Sequence, residues 1–261
     1  MHGSSLLVAA LAGLTVAEVQ HPHQPRAATN TALQTTFPKP STTTNLPAAR
    51  TIPANSNFDG GLKQWDRSTN TCSGQDETGE ADAVFILENG AVLSNVIIGP
   101  NNGEGVHCRG TCTLNNELTV WWVNVCEDAA TFKQGSGTSY VNGGGAKGAD
   151  DKVFQHNGSG TVAVKNFYAE SIGKLYRSCG NCGTQYGRKS SFDGIKVKTG
   201  KLVAGVNGNL GDSTTIKNSC LLDTKAICDL FKGVTSGEPT KTASGPDGKT
   251  CATSGVKTSG C

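Results

Sequence analysis

The chain has 261 residues, 34 of them glycine, with 36% apolar and 17% charged residues and a formal net charge of +2. That balance excludes a chain disordered throughout, and the Gly-, Thr- and β-branched-rich segments exclude a long-helix or coiled-coil protein. The net charge is too small to indicate a nucleic-acid or membrane binder, and the length suits one domain with a sizeable core.

The first element in chain order is an apolar run from Leu6 to Val16 followed by the small-residue context Thr15-Val16-Ala17, which predicts a signal peptide over residues 1–18. The run is too short to span a bilayer and no later stretch is longer, so a soluble, secreted protein is expected. Residues 19–57 hold six of the nine prolines (Pro22, Pro25, Pro38, Pro40, Pro47 and Pro53) and read as an extended leader or linker, with the folded domain over 58–261. Ten cysteines follow, and only Cys179 and Cys182 have Cys-x-x-Cys spacing, with no second such pair to complete a site. A disulfide framework is the better reading, and it too requires export.

From Phe58 onward, short runs of alternating or continuous apolar residues recur, each bounded by Gly or Asn: 83–87, 91–99, 161–167, 194–197 and 201–206. No segment carries a helical apolar period. Apolar positions at Val84, Val106, Ala130, Val153 and Leu175 recur every 22 to 24 residues, the signature of a solenoid coil. Asn95, Asn115, Asn124, Asn166 and Asn218 suit its corners, because Asn tolerates left-handed backbone. The expected fold is all-β, a single-domain right-handed parallel β-helix, with an irregular sandwich as the competing architecture.

Residues one coil apart in such a solenoid lie about 4.8 Å from each other. Glu80, Glu104, Asp128 and Lys152 are each 24 apart, and Lys174 and Arg177 continue the series after 22 and 25. Stacked carboxylates repel unless a cation sits between them, and oxygen-only ligands at Glu104, Glu127 and Asp128 favour Ca²⁺. Neighbours on a straight strand face opposite ways, so Glu127 and Asp128 can share an ion only at a turn or bulge. A solvated rim of salt bridges fits the same spacing.

Several motifs then carry a resemblance. Asn89-Gly90-Ala91 through Asn95-Val96-Ile97-Ile98-Gly99, Gly105-Val106-His107-Cys108, Cys126-Glu127-Asp128 through Lys133, and Asp151-Lys152-Val153-Phe154-Gln155 resemble the fungal-type pectate lyases of polysaccharide lyase family three. So do Ile172 through Cys182 and Gly211-Asp212 leading to Asn218-Ser219-Cys220. The resemblance implies a secreted, Ca²⁺-dependent lyase cutting de-esterified homogalacturonan of plant cell walls by β-elimination to unsaturated oligogalacturonides. It implies calcium ligands at Glu104, Glu127 and Asp128, with Glu80 a further acidic ligand. It implies Lys152 as catalytic base with Arg177 as the alternative, and Lys174 and Arg177 as holders of substrate carboxylates. Gln155, on the same face, is expected to touch substrate, and His107 to be packed or hydrogen-bonded. No nucleic-acid or membrane partner is expected, and the protein is expected to be a monomer.

One departure bears on the site. Family members run from an Asn-Asn turn straight into Trp-Trp-Glu-Asp-Val, whereas Glu117-Leu118-Thr119-Val120 intervene here before Trp121-Trp122-Val123-Asn124-Val125. Such an insertion either bulges out or shifts the register and disturbs the calcium site. A non-catalytic wall-binding or elicitor β-helix is therefore the alternative function. A polygalacturonase has only Asp150-Asp151 to recommend it, since its chemistry needs a cluster of aspartates. The tail from Glu238, with Cys251 and Cys261, is expected to close the end of the solenoid.

Overall fold

The computed structural model describes residues 32–261, the side chains of 115–118 excepted. The expected signal peptide over 1–18 and the first part of the leader lie outside the described residues. The strands are β1 (Thr43–Leu46), β2 (Arg50–Ile52), β3 (Asn57–Arg67), β4 (Ala83–Leu87), β5 (Ala91–Ile98), β6 (Glu104–Cys108), β7 (Cys112–Trp122), β8 (Asp128–Phe132) and β9 (Thr138–Asn142). They continue as β10 (Gly145–His156), β11 (Thr161–Lys165), β12 (Tyr168–Ser178), β13 (Lys189–Asp193), β14 (Lys196–Asn207), β15 (Ser213–Lys217), β16 (Cys220–Lys232), β17 (Thr240–Ser244) and β18 (Cys251–Ser254).

Each coil returns the chain to the strand one coil earlier, so the ladders are parallel, and they enclose a core on three faces. The first face stacks β2, β4, β6, β8 and the second halves of β10, β12, β14 and β16. The second holds β1, the ends of β3, β5 and β7, and the beginnings of β10, β12, β14 and β16. The third holds the beginnings of β3, β5 and β7, then β9, β11, β13, β15 and β18. The predicted parallel β-helix is therefore the fold observed.

The repeat length read from sequence matches, but the hydrogen-bonded row on the first face is Phe85, Val106, Ala130, Phe154 and Tyr176. Val84, Val153 and Leu175 sit one residue before it and are also fully buried. Inside, Phe154 packs against Phe132, Trp122 and Phe167, and Phe58 meets Trp65 and Phe85. The corner between the third and second faces is a column of left-handed residues, with Asn166 at φ 52°, Gly194 at φ 66° and Asn218 at φ 49°. Asn95 takes the same conformation at φ 57°; Asn124 does not.

The leader is shorter than its composition suggests. β1 and β2 pair with β3 and β4, so the solenoid reaches back to Thr43 rather than starting at Phe58. Before it, Phe37 lies edge-on to Trp121 with ring centroids 4.9 Å apart and covers that part of the second face. Prolines fit here because these are first-rung and covering segments, where fewer backbone donors are needed.

The insertion is absorbed locally. Ser94 pairs with Asn115 and Val96 with Val120, so residues 116–119 bulge opposite Asn95 and the register resumes before the tryptophans. Downstream, Glu104 pairs with Asp128 as the ladder requires. All ten cysteines are paired, as 72–126, 108–112, 179–182, 220–261 and 228–251. The last two pin the tail, whose β17 runs antiparallel to β16 and whose β18 extends the third face. Among the described residues no helix is long and apolar enough to cross a membrane.

Candidate active site

On the first face, Glu104, Asp128, Lys152 and Lys174 occupy one row, each hydrogen-bonded strand to strand. Glu127 joins them because it ends the corner before β8, where its N–H donates to Gly103 O at 3.1 Å. That corner lets two consecutive acids reach the same place. One carboxylate oxygen each of Glu104, Glu127 and Glu77 lie within 4.8 Å of one another. Glu104, Glu127 and Asp128 are buried.

These acids are unevenly satisfied. Glu104 accepts the Gly79 N–H at 3.0 Å and faces His107 Nε2 at 2.9 Å. Burial pushes its pKa up, but these partners outweigh burial and hold it below the ordinary value. Glu127 Oε2 and both oxygens of Asp128 are buried with no hydrogen-bond partner. Burial is the main reason that Glu127 is pushed up to about 7 and Asp128 well above its ordinary value. Buried orphan carboxylate oxygens each cost about 1–3 kcal/mol or more, so the donor set suits a hard divalent cation.

Lys152 is the cation that these acids meet. Its Nζ lies 2.6 Å from Asp151, 2.7 Å from Glu127, 3.4 Å from Glu77 and 3.5 Å from Asp128. Burial opposes its charge, yet Asp128, Asp151 and Glu127 together hold the ammonium above the usual lysine range. Asp151 also pairs with Lys174. It occupies the extra position where the β10–β12 register shifts between Ala149 and Lys152.

Beyond Lys152 a groove of about 250 Å³ is lined by Gln155, Lys174, Arg177, Asn181 and Glu238. Arg177 belongs to the Gln155 row, not the Lys152 row. Its Nη1 donates to Ser178 O at 2.5 Å and Asn207 Oδ1 at 3.1 Å, and its guanidinium lies 4.1 Å over the Phe231 ring. Burial brings its pKa down to about 10. Gly180 leaves the room this requires, since a Cβ there would come within 2.5 Å of Arg177 Nη2. Gln155 Nε2 donates to Asn157 Oδ1 at 2.8 Å, while its Oε1 is buried and unpartnered.

Two expectations need correction and three residues were missed. Glu80 does not join the acids: Ala83, not Glu80, pairs with Glu104, and Glu80 is bound to Arg109 at 2.6 Å on the half-exposed rim. The Arg109 guanidinium holds its pKa low. Arg177 leaves the charged row, as described. Glu77 takes the place expected of Glu80, and no periodicity marks it because it lies in a loop. Asn207 and Asp212 form a buried support: Asp212 Oδ2 accepts the Asn207 N–H at 2.7 Å, and Asp212 Oδ1 accepts the Arg188 N–H at 2.9 Å. The Gly211-Asp212 motif was the available signal for that support.

Ordered carboxylates beside a lysine- and arginine-lined groove on a parallel β-helix define a protein built to engage an acidic polysaccharide. The chain belongs to the pectate lyase family, whose sequence profile matches residues 34–238, and its class is polysaccharide lyase. Pectate lyase H of Emericella nidulans is 52% identical over 192 residues, 72% of each chain. Pectate lyase E of the same organism is 45% identical over 229 residues, 87% of this chain and 88% of its own. Among solved structures, pectate lyase PelI of Erwinia chrysanthemi in complex with tetragalacturonic acid is similar at 32% identity and a TM-score of 0.65. That match covers 84% of this chain and 71% of the other.

Proposed function

We propose that the protein is exported and cleaves de-esterified homogalacturonan by Ca²⁺-dependent β-elimination, releasing unsaturated oligogalacturonides. The observation that carries this reading is the set of buried oxygens of Glu127 and Asp128 that accept no hydrogen bond, directly beside Lys152. Disulfide pairing of all ten cysteines supports export.

The reaction removes a weakly acidic proton from C5 of a uronate, breaks the C4–O bond and returns a proton to the leaving oxygen. Glu104, Glu127 and Asp128 would hold a divalent cation, which would supply positive charge to the substrate carboxylate and offset the acidic field on Lys152. Lys152 Nζ, in its neutral form, accepts the C5 proton. Arg177, fixed by Ser178 and Asn207, and Lys174, half-buried at the groove, hold neighbouring carboxylates and stabilise the charge that develops. Arg177 remains the alternative base, since burial lowers its pKa. Gln155 contributes a free amide oxygen to a sugar hydroxyl.

Methyl esters remove the charge that these cations recognise, so rates on highly methylated pectin are expected to be much lower. The test follows the ultraviolet absorbance of the unsaturated product from polygalacturonate and from methylated pectin, with Ca²⁺ and with chelator. No rise with Ca²⁺ from a folded chain, or equal rates on both substrates, overturns the proposal. The reading as a disabled, wall-binding protein depended on a register slip after 117–120, and the Glu104–Asp128 pairing gives it no support.

A further inference from the structure

The chain holds one Asn-x-Ser/Thr triplet with a residue other than Pro in the middle, Asn157-Gly158-Ser159. Such a triplet accepts an N-linked glycan only where the folded chain can leave the asparagine nitrogen in solvent, because the glycan is bulky and polar. The triplet alone says little, so the geometry around it has to decide.

Asn157 follows β10 directly, at the corner where the chain leaves the first face for β11 on the third. Backbone groups hold that corner. The N–H groups of Asn157 and Gly158 donate to Phe132 O at 2.8 and 2.9 Å, and that of Ser159 donates to Gln134 O at 2.7 Å. Asn157 lacks the left-handed backbone of Asn95, Asn166 and Asn218, so this corner does not itself require asparagine. Gly158 is required, because a Cβ there would come within 2.2 Å of Gln134 O, and the acceptor triplet excludes only proline at that place.

The two ends of the half-buried Asn157 amide have different surroundings. Its Oδ1 accepts from Gln155 Nε2 at 2.8 Å, and Gln155 lines the groove with Lys174 and Arg177. Its Nδ2 donates to no group among the described residues and is not buried, so it faces solvent. A glycosidic bond forms on the nitrogen and leaves the amide oxygen an acceptor, so a glycan on Nδ2 is compatible with the bond to Gln155.

We propose that Asn157 is an N-glycosylation site whose glycan stands at the rim of the groove, beside Gln155. The inference rests on the export reading above, because the transfer takes place in the secretory pathway. Nδ2 bonds to the anomeric carbon of a lipid-pyrophosphate-linked oligosaccharide and gives up one proton. The bond from that carbon to the pyrophosphate oxygen breaks, and the lipid pyrophosphate leaves. Because Asn157 is hydrogen-bonded to Gln155, the glycan borders the groove and does not sit on a remote surface.

The test is peptide mapping by mass spectrometry of the full chain made in a yeast host, before and after peptide:N-glycosidase, for wild type, Asn157→Gln, Ser159→Ala and Ser159→Thr. The wild-type peptide containing Asn157 is expected to carry a hexose-rich mass increment that the enzyme removes, converting the asparagine to aspartate. The increment is expected to be lost in Asn157→Gln and Ser159→Ala and kept in Ser159→Thr, which preserves the acceptor triplet. Wild-type protein in the medium with Asn157 unmodified overturns the site and leaves export standing. An increment that resists the enzyme and persists in Asn157→Gln belongs to another residue and also overturns the site. Wild-type protein confined to the cells overturns the export reading on which the site depends. If a variant does not fold, the wild-type peptide still decides whether Asn157 is modified.

Discussion

His156 ends β10, the strand that carries Lys152 and Gln155, and it is fully buried. Its Nδ1 lies 2.9 Å from Tyr176 OH and its Nε2 lies 3.2 Å from Ser159 O. A carbonyl can only accept, so Nε2 carries the proton and Nδ1 accepts from the tyrosine, which describes a neutral imidazole. Burial is the main cause that brings its pKa from 6.5 to about 4, and nearby Arg188 adds to the shift. The folded state therefore binds fewer protons than the unfolded state between those two values. Stability is present in full above pH 6.5 and is lost as pH falls through about 4, with a total near 3 kcal/mol from this residue. The perturbation is His156→Gln, whose side-chain amide can still donate to Ser159 O but does not titrate. Denaturant unfolding in chelator across the acid range is expected to show a variant weaker at neutral pH, whose loss of stability on acidification is smaller than wild type's by about 3 kcal/mol. Equal pH slopes for the two proteins, or an imidazole resonance of His156 titrating near 6.5 in the folded state, refute the reasoning.

Lys152→Ala is expected to cut turnover by about 10²–10⁴-fold with a small change in KM, measured by product absorbance at saturating polygalacturonate. Arg177→Ala with the larger loss in turnover and Lys152→Ala with the smaller would instead make Arg177 the base. Asn207→Ala removes the acceptor of Arg177 Nη1 and is expected to raise KM for polygalacturonate by about ten-fold with a smaller change in turnover. A wild-type KM in the variant would leave Asn207 a purely structural residue. Glu127→Gln is expected to abolish the response to Ca²⁺ yet to stabilise the chelator-treated fold at alkaline pH. The folded pKa of about 7 lies above the ordinary 4.5, so the carboxylate's share of stability is present below 4.5 and is lost as pH rises through 7. Unfolding in chelator at acid and alkaline pH checks this, and a variant weaker than wild type at alkaline pH contradicts it.

The charged row was legible because strand spacing and coil length repeat. Glu104, Asp128, Lys152 and Lys174 need only equal coils to stack, and the pairing of β6, β8, β10 and β12 supplies them. The same count failed at Glu80, where the residues before β4 form a short 3-10 turn and not a strand. It also misplaced Arg177 by attaching it to the Lys152 row: Lys174 already fills that place on β12, and Arg177, three residues further on, pairs with Gln155. Glu77 lies beyond any such count. Its position follows from one disulfide among the many pairings that ten cysteines allow, and sequence cannot choose between them.

Sequence alone therefore determined the repeat, the all-β class, the corners at Asn95, Asn166 and Asn218 and the row from Glu104 to Lys174, because these are local properties of strand alternation and turn chemistry. It also carried the family resemblance. Tertiary structure decided how the insertion at 117–120 is absorbed, as a bulge over 116–119, which acids converge on one point and which buried groups hold Arg177. Those outcomes depend on loop paths and long-range pairings, whose energies come from contacts between residues far apart in the chain. No periodicity records them.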